Sequence, residues 1–157
     1  MRFPLIFVFQ LLLVLGFTSC GPTVIYEENH QVGNGGWRYS DTLSFAYEIV
    51  DTTQAYDLEI EVDHADNFAY ENFYLKIHTN LPNGRRTTER ISLDLAGDYG
   101  AWNGDCSGGV CQFSIPILFN TRFQTPGRYG ITLEQNSRDE PLAGILGMGL
   151  KLQEAVK

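Results

Sequence analysis

The chain has 157 residues, with 11 basic and 19 acidic side chains and a formal charge of −8, which leaves room for one ordinary domain and excludes two large ones. Hydrophobic residues make up 43% and charged residues 19%, enough apolar material for a core and too little charge density for a disordered chain. Only Arg85 and Arg86 are adjacent among the basic residues, and the acidic balance argues against a nucleic-acid partner, since such affinity comes from clustered lysine and arginine.

The first element in chain order is an apolar run at residues 5–17, interrupted by Gln10 and preceded by Arg2. Its 13 residues fit the core of a signal peptide and fall short of the roughly 20 that a bilayer-spanning helix needs. Phe17-Thr18-Ser19-Cys20 then resembles the bacterial lipobox. On that reading residues 1–19 are a removed signal peptide and Cys20 carries the lipid. The mature chain 20–157 then has 138 residues and, with Arg2 gone, a charge of −9. The anchor is covalent lipid, and two or three acyl chains make it stable. The alternative is an ordinary secretory signal with Cys20 as a core or disulfide cysteine; in both cases the protein leaves the cytoplasm. No acidic tract comes after Cys20 in residues 21–25, which favours a periplasm-facing position.

Strands dominate the rest of the chain. A first is expected at residues 23–27. Leu43, Phe45, Tyr47 and Ile49 then alternate with polar neighbours, and Tyr56, Leu58, Ile60 and Val62 alternate with Asp57, Glu59, Glu61 and Asp63, the clearest period of two in the chain. Phe73, Leu75 and Ile77 lead to Leu81-Pro82-Asn83-Gly84, turn chemistry for a hairpin returning through Ile91, Leu93 and Leu95. The glycine-rich residues 96–110 read as a long loop. Phe113, Ile115, Ile117 and Phe119 form another strand, with Pro116 marking an edge or a bulge. Pro126-Gly127 turns the chain into Tyr129, Ile131, Leu133 and Gln135, and Leu146, Met148, Leu150 and Leu152 form the last strand. About eight short strands without a convincing helical period describe an all-β fold, an antiparallel β-sandwich of immunoglobulin-like or jelly-roll kind. It occupies residues 20–157 as one domain.

Residues that carry chemistry are sparse. Cys106 and Cys111 flank a Gly-Gly turn and are a possible disulfide in an oxidising compartment. A redox or zinc pair has the wrong spacing and no second Cys or His pair nearby. His30, His64 and His78 share no local motif, and nucleophile-elbow, phosphate-loop and dinucleotide patterns are absent. Asp63, Asp66 and Asn67 lack the order of a calcium loop, so neither a metal nor a cofactor is expected. The acidic strand reads as a solvated face whose like charges discourage edge pairing. A hydrolase with a carboxylate pair such as Asp98 and Asp105 is the weakest of the readings. Aromatic residues outside the strand patterns, namely Trp37, Tyr39, Phe68, Tyr70, Tyr99 and Trp102, either plug the ends of the sandwich or anchor a partner. Trp37, Tyr70, Trp102 and Arg138 are the candidate interaction residues. Gly100-Ala101-Trp102-Asn103-Gly104 is the most suggestive, because glycines let the backbone bend around a large ring.

Taken together, several segments resemble the gliding-motility lipoprotein family GldH of the Bacteroidetes. They are the lipoprotein signal ending at Cys20, Val24-Ile25-Tyr26-Glu27, Trp37, Ile49-Val50-Asp51-Thr52, Tyr70-Glu71-Asn72-Phe73, Leu81-Pro82-Asn83-Gly84, Gly100-Ala101-Trp102-Asn103-Gly104, Pro126-Gly127-Arg128-Tyr129, Leu133-Glu134-Gln135 and Gly144-Ile145-Leu146-Gly147. The similarity covers nearly the whole chain. It departs at Arg85-Arg86-Thr87-Thr88, and Cys106 and Cys111 are extra. The resemblance implies a non-enzymatic, membrane-attached component of the gliding apparatus, linked to type IX secretion. Its partners would be the membrane, through the lipid anchor, and other gliding or secretion proteins, with no small-molecule substrate. The competing class is a cell-envelope carbohydrate-binding module presenting Trp37, Tyr70 or Trp102 to a glycan.

Overall fold

A computed structural model describes residues 21–156; the expected signal peptide and the lipidation candidate Cys20 lie outside the described residues. The chain forms β1 (Val24–Gln31), β2 (Leu43–Ile49), β3 (Tyr56–Ala65), β4 (Asn72–Asn80), β5 (Arg86–Asp94), β6 (Asp105–Ser107), β7 (Val110–Thr121), β8 (Gly127–Gln135) and β9 (Ile145–Glu154), with one 3-10 turn at Asp98–Gly100. Two antiparallel sheets result, ordered β1-β9-β3-β7-β6 and β2-β8-β4-β5, so the β-sandwich read from the alternation is the fold.

The strand count is nine, one more than expected. The addition, β6, lies inside the stretch read as a loop: three exposed residues with no alternation, paired to β7 through Gly108 and Gly109 at φ 60 and 85. β1 also runs four residues past Glu27. Its continuation Glu28-Asn29-His30-Gln31 is polar on both faces and shows no period of two. Pro116 sits where β7 slips register against β3, and only Val110, Cys111 and Gln112 of β7 pair with β6. Bulge and edge are therefore both present.

The acidic strand is corrected. β3 pairs with β7 on one side and β9 on the other, so its carboxylates guard no edge. They stand half-buried on the outer face, Glu59 opposite Lys151, Glu61 opposite Gly149 and Asp63 opposite Gly147. The glycines leave room for these side chains: a Cβ at Gly149 would displace the ends of Asn29 and Glu61, and one at Gly147 would stand 3.2 Å from Asp63 Oδ2. Burial pushes the Glu61 carboxyl above its ordinary value, against the stabilising hydrogen bond from Asn29.

The inner faces close one core. Leu58, Ile60 and Val62 of β3 and Leu150 and Leu152 of β9 meet Phe45, Ile49, Leu75 and Leu133 from the other sheet, all at most 3% exposed. Every long strand runs from one end of the sandwich to the other. At the basal end lie Thr23, the turns at 50–55, 81–85 and 122–126, and residues 155–156; at the apical end lie the loops at 32–42, 66–71, 95–104 and 136–144.

Candidate functional site

All four interaction residues selected from sequence fall at the apical end, in four different loops. They are not equivalent. Trp37 is 1% exposed, which removes it as a contact residue: its N–H donates to the Leu142 carbonyl and its own carbonyl accepts the Leu142 N–H, both at 2.9 Å, folding loop 32–42 over loop 136–144. The ring stands edge-on to Phe73, and Nε1 donates to the Asp41 carbonyl at 2.7 Å. It is core. Trp102 is half-buried, edge-on to His64 with centroids 4.8 Å apart, its Nε1 donating to the Asp66 carbonyl at 2.8 Å. Gly104 has φ 81, and a Cβ there would overlap the Gln112 carbonyl, so the bend is glycine-dependent.

Tyr70 is 44% exposed and donates through its hydroxyl to Asp139 Oδ2. That hydrogen bond, reinforced by the carboxylate charge, pushes the Tyr70 phenol above its ordinary value. Arg138 is exposed beside it in chain order. The loop bearing Arg138 hangs on Gln135, which is fully buried. Gln135 Nε2 donates to the Asp139 carbonyl at 2.8 Å, and its Oε1 accepts the Ser137 N–H at 2.6 Å.

Three further tyrosines complete this surface. Tyr39 donates through its hydroxyl to the Ser137 carbonyl at 2.6 Å and through its N–H to Glu140 Oε2 at 2.9 Å. Tyr74 receives the Asn136 N–H on its carbonyl and donates its own N–H to Ser137 Oγ at 3.1 Å. Tyr99 is fully exposed in the left-handed region at φ 66, a conformation uncommon for a residue with a Cβ. The signal for Tyr99 was Gly97-Asp98-Tyr99-Gly100, next to the segment chosen for Trp102. Tyr74 sat within a strand pattern and gave none. The apical loops also carry Asp41, Asp66, Glu71, Asp98, Asp139 and Glu140 against Arg38 and Arg138, so the surface is acidic and tyrosine-rich, with the Tyr39 and Tyr70 rings held through their hydroxyls. Tyrosines held this way bury large area at small entropic cost, which suits recognition of a protein partner.

His64 lies beneath this surface, fully buried, with Nδ1 2.9 Å from the Ala65 carbonyl and no hydrogen-bond partner at Nε2. His78 lies elsewhere, on the outer face of β4. Its Nδ1 and Nε2 stand 2.8 Å from Thr88 Oγ1 and 3.1 Å from Glu134 Oε2, and Lys76 Nζ reaches the same carboxylate at 2.6 Å. The Lys76 and His78 contacts hold Glu134 below the usual carboxylate range. Among the described residues no group of three His, Cys, Asp or Glu is arranged to hold a metal ion. Asp98 and Asp105 are both exposed, on a 3-10 turn and on β6. Cys106 and Cys111 are joined across the β6–β7 turn, Cα atoms 4.0 Å apart. A cleft of about 710 Å³ opens between β5 and β7 toward the basal end, and its apolar lining includes Ile77, Ile91, Ile115, Ile117 and Phe123.

Comparison with known proteins fits the sequence resemblance. The family described as GldH lipoprotein matches residues 24–152. The chain is 24% identical to the "Gliding motility lipoprotein GldH homolog" of Christiangramia forsetii, over 96% of this chain and 94% of that protein. It is 20% identical to the "Gliding motility lipoprotein GldH" of Flavobacterium johnsoniae, over 92% and 93%. Among solved structures, Xyl-CBM35 in complex with a glucuronic acid-containing disaccharide aligns over 90% of this chain and 97% of its own, at 12% identity and a TM-score of 0.33. The infectious bursal disease virus VP2 subviral particle aligns over 85% and 30%, at 17% identity and 0.34. Neither likeness bears on function at these scores.

Proposed function

The chain belongs to the GldH lipoprotein family, and from that premise we propose that it is a non-enzymatic component of the gliding-motility machinery, linked to type IX secretion, that acts by holding a protein partner on its apical tyrosine surface. As a gliding-motility lipoprotein of the cell envelope it is membrane-anchored. Cys20 is the residue we assign to the lipid, and the absence of acidic residues at 21–25 supports a periplasm-facing position. The observation that carries the partner role is the set Tyr39, Tyr70 and Tyr99 on apical loops and Tyr74 near the apical end of β4, all more than 40% exposed, with hydrogen bonds tying Tyr39, Tyr70 and Tyr74 to the loop at 136–144.

Deleting the gene in its native bacterium and tracking single cells on glass tests this directly. Loss of movement, restored by the wild-type gene and not by one carrying Tyr70→Ala and Tyr99→Ala, is the expected result. Normal gliding without the gene would refute it. The carbohydrate reading loses one of its rings to the core, Trp37, and finds the Trp102 indole N–H already bonded to protein. Glycan binding by the intact protein that Trp102→Ala abolishes would restore it.

A further inference from the structure

The basal end has a different surface. Arg85, Arg86, Arg122 and Arg128 gather there, all exposed. Arg85 and Arg86 close the hairpin at 81–85, whose Pro82 packs on Gly127, the residue before Arg128. Arg122 Nε donates to the Thr53 carbonyl at 3.0 Å, linking two of the basal turns. The carboxylates nearby are Glu48, opposite Arg128 in register, the half-buried Glu154, the half-buried Asp57, whose Oδ1 accepts the Asn120 N–H, and Asp51, whose Oδ1 already accepts the Thr53 N–H and hydroxyl. In a chain of formal charge −8, this end has as many arginines as carboxylates, and all four arginines are exposed whereas Asp57 and Glu154 are half-buried.

Its exposed apolar residues are also of another kind. Val50 is 82% exposed, Phe119 78%, Val156 76%, Val24 45% and Ile25 41%, and no tyrosine is among them. Position is the third observation. Thr23 lies at this end, its carbonyl accepting the Glu154 N–H at 2.9 Å, and only Gly21 and Pro22 separate it from Cys20. At about 3.3–3.6 Å per residue, Thr23 stays within roughly 10–11 Å of the anchoring residue, close to the Debye length of about 10 Å at 0.1 M salt.

We propose that the basal end is a membrane-docking face. Its four arginines contact the anionic phospholipid headgroups of the membrane that holds the anchor, Val50 and Phe119 enter the interface, and the sandwich stands upright with its tyrosines pointing away. Guanidinium groups pair with phosphate through several N–H donors at once, and basic side chains within a Debye length of an anionic surface are drawn to it. This rests on the reading of Cys20 as lipidated.

The test uses the mature lipidated protein on vesicles of phosphatidylcholine, with and without phosphatidylglycerol. Flotation on neutral vesicles reports the anchor; amide exchange of residues 81–85 and 122–126 reports the base. Exchange there slows on the order of tenfold when phosphatidylglycerol is present. The slowing disappears in high salt and in the Arg85→Gln/Arg86→Gln/Arg122→Gln/Arg128→Gln protein, which still floats. The double variant Arg85→Gln/Arg86→Gln shows a smaller loss, and circular dichroism checks that both variants fold. Equal exchange on both vesicle types, slowing confined to the apical loops, or slowing that appears without vesicles as protein concentration rises would overturn the proposal. If the wild type fails to float on neutral vesicles, the anchor reading falls instead. Arginine-dependent flotation on anionic vesicles would then uphold the docking face, and its absence would overturn it.

Discussion

The two ends of the sandwich solve different problems with the same strands. At the apical end four loops from distant parts of the chain are sewn together by Trp37, Gln135, Tyr39, Tyr70 and Trp102, and the exposed rings are all tyrosines. At the basal end the turns are short, each held mostly by its own residues, as with Asp51 on Thr53 or Asn83 Oδ1 on the Arg85 N–H. The apolar residues left exposed there are aliphatic or phenylalanine. The lesson is that exposure has a chemistry. Tyrosine with a fixed hydroxyl suits a partly polar protein interface, whereas bare aliphatic groups beside arginine suit headgroups and acyl chains.

Substitutions can break this contrast, beginning with the strongest. Trp37→Ala should cost about 3–5 kcal/mol, as for a buried aromatic truncated to a methyl group, and chemical denaturation would measure it; a cost below about 1 kcal/mol would mean that the apical loops do not depend on one ring. Gln135→Leu comes next, at about 1–3 kcal/mol, because it strands the Asp139 carbonyl and the Ser137 N–H. Hydrogen exchange should quicken in residues 136–141 and stay unchanged in the basal turns.

Glu134, on the outer face between the two ends, gives a smaller and pH-dependent effect. Lys76 and His78 hold its carboxyl below the ordinary value in the folded protein. Its contribution is therefore present above the unfolded carboxylate pKa and is lost as pH falls through the lower folded value. Glu134→Gln should flatten that acid limb of the stability curve by at most about 1 kcal/mol, since the pair is partly exposed. Glu61, raised by burial, has the opposite sign and loses its contribution as pH rises through its folded value. Least of all for stability, Tyr99→Ala and Val50→Ser should each change unfolding by no more than about 0.5 kcal/mol. Crosslinking in intact cells should show Tyr99→Ala losing partner contacts and Val50→Ser keeping them. The reverse pattern would exchange the roles of the two ends.

Much of this architecture was legible in advance. A period of two is a local property, so β2, β3, β4, β5, β7, β8 and β9 could be read from residues that lie side by side in the chain. The continuation of β1 and all of β6 could not, because edge segments with polar residues on both faces carry no such period. The placement of β3 was out of reach for a different reason: an alternating acidic strand looks the same at an edge and in the middle of a sheet. The site was half legible. Its loops were identified, but which ring is buried depends on contacts such as Trp37 with Leu142, far apart in sequence, and the same residue type in the same glycine-rich setting reads alike whether it plugs or protrudes.

The pairing of β1 also bears on mechanical load. β1 is an edge strand, fastened to β9 alone from Tyr26–Leu152 to Gln31–Gly147, and its first residue lies at the anchored end. A pull on the anchor against a grip on the opposite end acts along β1, so its ladder is sheared as a block instead of opening one bond at a time. The rate of that rupture, more than equilibrium stability, sets how long the protein resists sustained tension. The contacts that set it are the hydrogen bonds across the two glycines of β9 and the packing of Tyr26 and His30 on Tyr47 and Phe45.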